Sequence, residues 1–254
     1  MPRRLALAVP LSLIVLVAGC GPATPSEKPA ETVAVPPVDL SNAGSVHGVV
    51  SYAGDDPDTE IDLSADPTCQ ELHDHPAQTE TIVGDGEGHL GNVFVYLQGG
   101  IEGRRFPVPS EPKVLEQKGC VYVPHVLGMM VGQTLIVHND DPTLHNVHAQ
   151  PSDNREFNQG QPFQGMELTR IFDKPELMIP FKCDVHPWMK AYLNVVDSPL
   201  FAVSAPDGSF KIGKIPPGDY VVEAVHEMLG RRSARLTIQR GQTVELNFDF
   251  TAKE

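Results

Sequence analysis

Leu177-Met178-Ile179-Pro180-Phe181-Lys182 and Tyr192-Leu193-Asn194-Val195-Val196 bracket Cys183-Asp184-Val185-His186-Pro187-Trp188-Met189. The flanking segments are apolar and rich in β-branched or aromatic residues, and read as one strand entering a tight loop and one leaving it. Working outward, Met129 to Asn139 reads as two strands turning at Gly132, and Asn92 to Leu97 as a strand with Val93, Val95 and Leu97 on one face. Val46 to Tyr52 alternates in part and reads as another. Downstream come short strands at Phe201-Ala202-Val203, Ser209 to Ile212, Tyr220 to Val225, Ser233 to Ile238 and Val244 to Phe248, separated by Asp207-Gly208, Pro216-Pro217-Gly218 and Arg240-Gly241. The 254 residues are 41% hydrophobic and only 6% aromatic, with Gly 22 and Pro 24, a balance that favours short strands and turns over long helices. The expected fold class is all-β, with strand spacing typical of β-sandwiches.

Charge narrows the partners. Lys+Arg 19 against Asp+Glu 33 gives a formal net charge of -14, which argues against nucleic acid, since phosphate backbones need a basic footprint. A long acidic excursion holding Cys69, His73 and His75 separates the strands at Val46 and Val93, and closes on Gly84-Asp85-Gly86-Glu87-Gly88.

The N-terminus reads as an export signal. Arg3 and Arg4 precede an apolar run from Leu5 to Ala18 that Pro10 and Ser12 interrupt and that is too short to span a membrane. Val17-Ala18-Gly19-Cys20 resembles a bacterial lipobox, which implies that Cys20 is lipidated and that residues 1–20 act as a lipoprotein signal. Residues 21–44 are rich in Pro and read as a semi-rigid tether. The expectation is an exported protein, lipid-anchored on the periplasmic face of a bacterial membrane, the outer one favoured, or at the cell surface.

Four cysteines divide by role. Cys20 takes lipid. Cys183, His186 and Met189 place a thiolate, an imidazole and a thioether in one loop, where they can converge on a metal. Cys69 and Cys120 remain to form a disulfide, the alternative being two separate buried thiols. Upstream, Asn139 to His148 ends a strand in a turn and presents His145 and His148, so a second imidazole can complete a His₂Cys plane with a weak axial Met. That set suits copper in both oxidation states, whereas a thioether is a poor ligand for zinc.

His145-Asn146-Val147-His148 together with Cys183-Asp184-Val185-His186-Pro187-Trp188-Met189 resembles the cupredoxin family, the small blue copper electron carriers of the plastocyanin and amicyanin group. The resemblance covers roughly Val121 to Val196 and implies a Greek-key β-sandwich with copper held by His145, Cys183, His186 and Met189. It also implies that Asn146 ties the ligand loops together by hydrogen bonds. Trp188 and the long region before Gly119 depart from the family pattern. The stretch Phe201 to Phe250, with its Asp207-Gly208 and Pro216-Pro217-Gly218 turns, resembles a carboxypeptidase regulatory-like β region. The domains expected are therefore 45–197, cupredoxin-like with an N-terminal extension, and 198–254, a smaller β-sandwich region. An alternative has the strands near Val46 and Val93 completing that smaller sandwich, with the cupredoxin-like segment inserted.

His145 is preferred to His148 because Asn follows it directly. His125 and His138 read as satisfied structural histidines, His73-Asp74-His75 as a solvated loop, and Met129 and Met130 as core. His226-Glu227 lacks the second His of a zinc-protease helix, since Gly230 stands in its place. The function implied is single-electron transfer between redox partners, the partner basic at its contact, and not an enzyme activity. A copper-delivery module is the alternative. Multicopper enzymes need further centres, and the chain offers no His-x-His pair beyond His73 and His75.

Overall fold

The computed structural model describes residues 38–54 and 59–252. The expected signal segment with Cys20, and the tether as far as Pro37, lie outside them. Among the described residues the elements run β1 (Gly44–Ala53), α1 (Pro67–Glu71), β2 (Phe94–Gly99), β3 (Lys113–Lys118), β4 (Val121–Val123), β5 (Val126–Met130), β6 (Thr134–Asn139), β7 (His145–Ala149), β8 (Phe157–Gln161) and β9 (Glu167–Ile171). They continue with β10 (Glu176–Lys182), β11 (Lys190–Val196), β12 (Phe201–Val203), β13 (Ser209–Ile215), β14 (Gly218–His226), β15 (Gly230–Ile238), β16 (Thr243–Glu245) and β17 (Phe248–Thr251). The fold is all-β, with α1 as the one helix among the described residues, and no helix there is long and apolar enough to cross a membrane.

Two sandwiches account for the strands. In the first, the sheet β5-β11-β10-β7-β8 faces the sheet β4-β3-β6-β9. Leu115, Val137 and Leu168 from one sheet and Met129, Phe181 and Leu193 from the other form a single core. In the second, β13-β1-β16, with β17 also paired to β1, faces β12-β2-β14-β15 around Val50, Phe210, Phe250, Leu97 and Val222. Both β1 and β2 thus pair with strands that follow Ser198, the arrangement the insertion alternative describes. The segment from β3 to β11 leaves and re-enters the second sandwich.

Alternation makes some strands legible. In β6, Leu135, Val137 and Asn139 are buried while Thr134, Ile136 and His138 are partly exposed, the period-2 pattern of a strand with one face on a core. β11 lacks it because both of its faces are covered. Ala191, Leu193 and Val195 enter the first core, while Tyr192 and Val196 pack with Phe94 and Phe201 of the second sandwich. A methyl at Gly128 in β5 would lie 2.6 Å from the rings of both Phe94 and Phe201, so glycine there is what lets β5 approach β2 and β12. Gly132, at φ +79°, takes the left-handed turn between β5 and β6.

One expected strand is divided. Val244 to Phe248 becomes β16 and β17, both parallel to β1. Across the break the Asn247 side-chain oxygen accepts the Val49 N–H at 2.8 Å and the Leu246 N–H donates to His47 at 2.9 Å. Two backbone N–H groups at the interruption of the ladder are thereby satisfied.

The acidic excursion between β1 and β2 returns against the first sandwich. Cys69 of α1 is disulfide-bonded to Cys120, with the Cα atoms 5.5 Å apart. Both residues and Leu63 are buried in the first core. Joint replacement of Cys69 and Cys120 by alanine frees a connection 51 residues long. By the loop-entropy relation this costs about 4 kcal/mol, and the expected readout is a markedly lower urea midpoint with an otherwise cooperative transition.

Candidate metal centre

The first imidazole is placed by a turn that a buried asparagine organises. At the end of β6, Asn139 Nδ2 donates to the carbonyls of Thr143 (3.0 Å) and Gln161 (2.9 Å), and its Oδ1 accepts the Asp141 N–H at 2.9 Å. The turn brings Asp141 under His145, the first residue of β7. Asp141 Oδ1 accepts the Gly119 N–H at 2.7 Å, while Oδ2 accepts the Cys120 N–H at 2.8 Å and lies 2.9 Å from His145 Nε2.

The hairpin β10–β11 supplies the other residues. Lys182 pairs with Lys190 and closes the loop Cys183 to Met189. Within it the Met189 N–H donates to His186 at 3.0 Å and the Cys183 N–H to Met189 at 3.4 Å. Asn146 joins this loop to β7: its Oδ1 accepts the Asp184 N–H at 2.5 Å, and its Nδ2 donates to Asn158 (2.6 Å) and Asp184 (3.1 Å). The Asn146 backbone N–H points at Cys183 Sγ, 3.4 Å away. Trp188 Nε1 donates to the Cys120 carbonyl at 2.9 Å, and its ring lies against His186 at 5.1 Å.

These two pieces bring His145, Cys183 and His186 together, one ligand atom of each lying within 4.8 Å of the others. His145 Nδ1 and His186 Nδ1 are 2.9 Å apart, and Cys183 Sγ is 3.8 Å from His186 Nδ1. The opposite edge of each ring is engaged by a carboxylate, Asp141 at His145 and Asp66 at His186 Nε2 (3.0 Å). All three side chains are buried, at 0%, 1% and 2% exposure. Met189 is likewise fully buried, in the core cluster that holds Cys183.

The electrostatics favour a deprotonated sulfur. Burial alone would push the Cys183 thiol up, but hydrogen bonds from His145 and His186 hold it down at about 6. Burial would lower both histidines. Hydrogen bonds to Asp141 and Cys183 raise His145, and hydrogen bonds to Cys183 and Asp66 raise His186. The centre is therefore a thiolate beside imidazoles whose outer edges already face carboxylates. A metal ion held between the two Nδ1 atoms and Cys183 Sγ would meet two imidazoles and a thiolate, a donor set that fits copper.

Four other histidines have other partners. His148 lies outside the cluster, with Nδ1 3.0 Å from Asp184 and Nε2 2.9 Å from Glu156. His125 is buried against Glu227 at 2.6 Å, and His138 meets Asp140 at 2.7 Å. His73 Nε2 reaches the Gly119 carbonyl at 2.5 Å. Met129 and Met130 are both buried. Neither Asp66 nor Asp141 stands out in the sequence as a site residue. Asp141, four residues before His145 in a turn, was within reach of a local argument. Asp66, 120 residues from His186, was not.

No protein-family model and no curated protein matches the chain. Solved structures similar to parts of it include a copper-containing nitrite reductase from Thermus scotoductus SA-01, at 20% identity and TM-score 0.33, over 41% of this chain and 25% of that one. The chain thus spans about a quarter of the reductase's length. A purple cupredoxin from Nitrosopumilus maritimus aligns at 21% identity and TM-score 0.29, over 33% of this chain and 98% of that one. The Cu(I) structure of an amicyanin mutant aligns at 21% identity and TM-score 0.30, over 35% and 85% respectively.

In the metal-free protein the thiolate absorption of Cys183 is expected to titrate with a midpoint of about 6, against an ordinary value of 9.0. Because the folded value is the lower one, the contribution of Cys183 to stability grows as pH rises through that window, and is lost as pH falls through about 6. His145→Ala removes one of the hydrogen bonds responsible and should move the midpoint upward in the same ultraviolet titration.

Proposed function

We propose that this chain is an exported, lipid-anchored type 1 copper protein that carries single electrons between redox partners. The observation that carries the reading is the convergence of His145 Nδ1, His186 Nδ1 and Cys183 Sγ in the buried interior, the outer edges of both rings already bonded. In this reading Met189, from the same loop, would supply a thioether sulfur as a fourth ligand. Copper held there supplies a one-electron couple. The residues of the chain contribute fixed geometry: Asn146 joins the two ligand segments, Asp66 and Asp141 orient the rings, and burial of the thiolate excludes water. Little rearrangement between oxidation states is what an electron carrier requires, because each structural change adds to the barrier. Burial of His145, Cys183, His186 and Met189 favours retention of the metal over its delivery.

Lipidation at Cys20 and the Pro-rich tether would hold the sandwiches at a reach from the bacterial membrane surface. The formal charge of -14 suits a partner that is basic at its contact, with an encounter rate that falls as salt rises.

The deciding experiment is Cu(II) titration of the soluble form lacking residues 1–20, followed by visible and electron paramagnetic resonance spectra. The expected outcome is an intense thiolate-to-copper band with small copper hyperfine splitting, bleached on reduction and absent in Cys183→Ser. An ordinary Cu(II) spectrum, or one unchanged in Cys183→Ser, would refute the electron-carrier reading.

A further inference from the structure

The ligand-bearing sandwich does not complete its own centre. The outer edge of His186 is covered by the excursion that precedes β2, a part of the chain outside β3 to β11. Asp66 is the N-cap of α1 and its two oxygens have different duties. Oδ1 accepts the N–H groups of Thr68 (2.8 Å) and Cys69 (3.4 Å), and Oδ2 lies 3.0 Å from His186 Nε2 and 3.4 Å from Thr143 Oγ1. One carboxylate therefore locks the position of α1 to the orientation of the imidazole.

The lock extends further. Cys69 Sγ lies 3.6 Å from His186 Nε2, and its disulfide partner Cys120 gives its N–H to Asp141, the carboxylate on His145. A continuous path thus runs from His186 through Asp66, α1, the disulfide, Cys120 and Asp141 to His145. The two imidazoles are tied together from behind, away from the face where their Nδ1 atoms meet.

We infer that Asp66 is a positioning residue for His186, held in place by the Cys69–Cys120 disulfide, and that its charge biases the centre toward Cu(II). The second half of this inference rests on the copper reading; the first does not. A carboxylate bonded to the far edge of a ligating imidazole fixes ring orientation and raises the basicity of the ligating nitrogen. It also interacts more favourably with the oxidised centre, which carries one more positive charge.

Asp66→Asn tests this with little disturbance, because Asn is as good an N-cap as Asp but has one acceptor oxygen and no charge. Asp62→Asn is the control: Asp62 is exposed in the same excursion and bonds the Ser64 N–H, away from His186. The expected result is that Asp66→Asn keeps the thiolate-to-copper band while its Cu(II)/Cu(I) affinity ratio falls about tenfold, a rise of about 59 mV in potential for a one-electron couple. Asp62→Asn should leave the ratio unchanged. In the metal-free protein, nitrogen-detected magnetic resonance should show the His186 Nε2 proton exchanging with water at least severalfold faster in Asp66→Asn than in wild type. An unchanged ratio overturns the bias, and an unchanged exchange rate overturns the positioning role. Absence of the band in wild type overturns the copper reading and the bias with it, while the exchange rate still decides whether Asp66 positions His186.

Discussion

The centre depends on one constraint: each imidazole is held at Nε2 by a carboxylate that is itself anchored to backbone. A buried histidine ring with one free edge can rotate between alternatives. Here neither can, because Asp141 is fixed by the N–H groups of Gly119 and Cys120, and Asp66 by those of Thr68 and Cys69. The two Nδ1 atoms are thereby brought to 2.9 Å, with Cys183 beside them. Organising a site before its ligand arrives avoids the ordering cost at binding.

Three stretches of chain distant in sequence meet to produce this. β7 supplies His145, the β10–β11 hairpin supplies Cys183 and His186, and the excursion before β2 supplies Asp66 and Cys69. The disulfide is the covalent element among them, and it lies in the core of the first sandwich, against the ligand loop. The shared burial of β11 extends the influence outward: one face packs on the core beneath the site, and the other on Phe94 and Phe201 of the second sandwich.

Legibility in the sequence followed burial pattern. β6 and β13 alternate, and were readable as strands because each has one wet face. β8 carries mostly exposed polar residues and stands at a sheet edge, so it offers no hydrophobic period. β3 hides its pattern differently, since its inward residues are Leu115 and the buried Gln117, whose amide meets that of Gln161. The helix α1 is five residues long, below the length at which periodicity speaks. Its Asp66-Pro67 start is nonetheless a recognisable cap signal.

Residue identities and local spacing determined the all-β class and the loop from Cys183 to Met189 as a metal-binding candidate. Those follow from side-chain chemistry and from distances that a few peptide bonds enforce. Only the tertiary structure decided which histidine joins the loop, that β1 and β2 pair with strands beyond Ser198, and that Asp66 and Asp141 close the outer edges of the rings. A hydrogen bond between groups 120 residues apart has no local signature. It exists because the excursion, the disulfide and two packed sheets bring both groups to one place, and that convergence is a property of the packed chain as a whole.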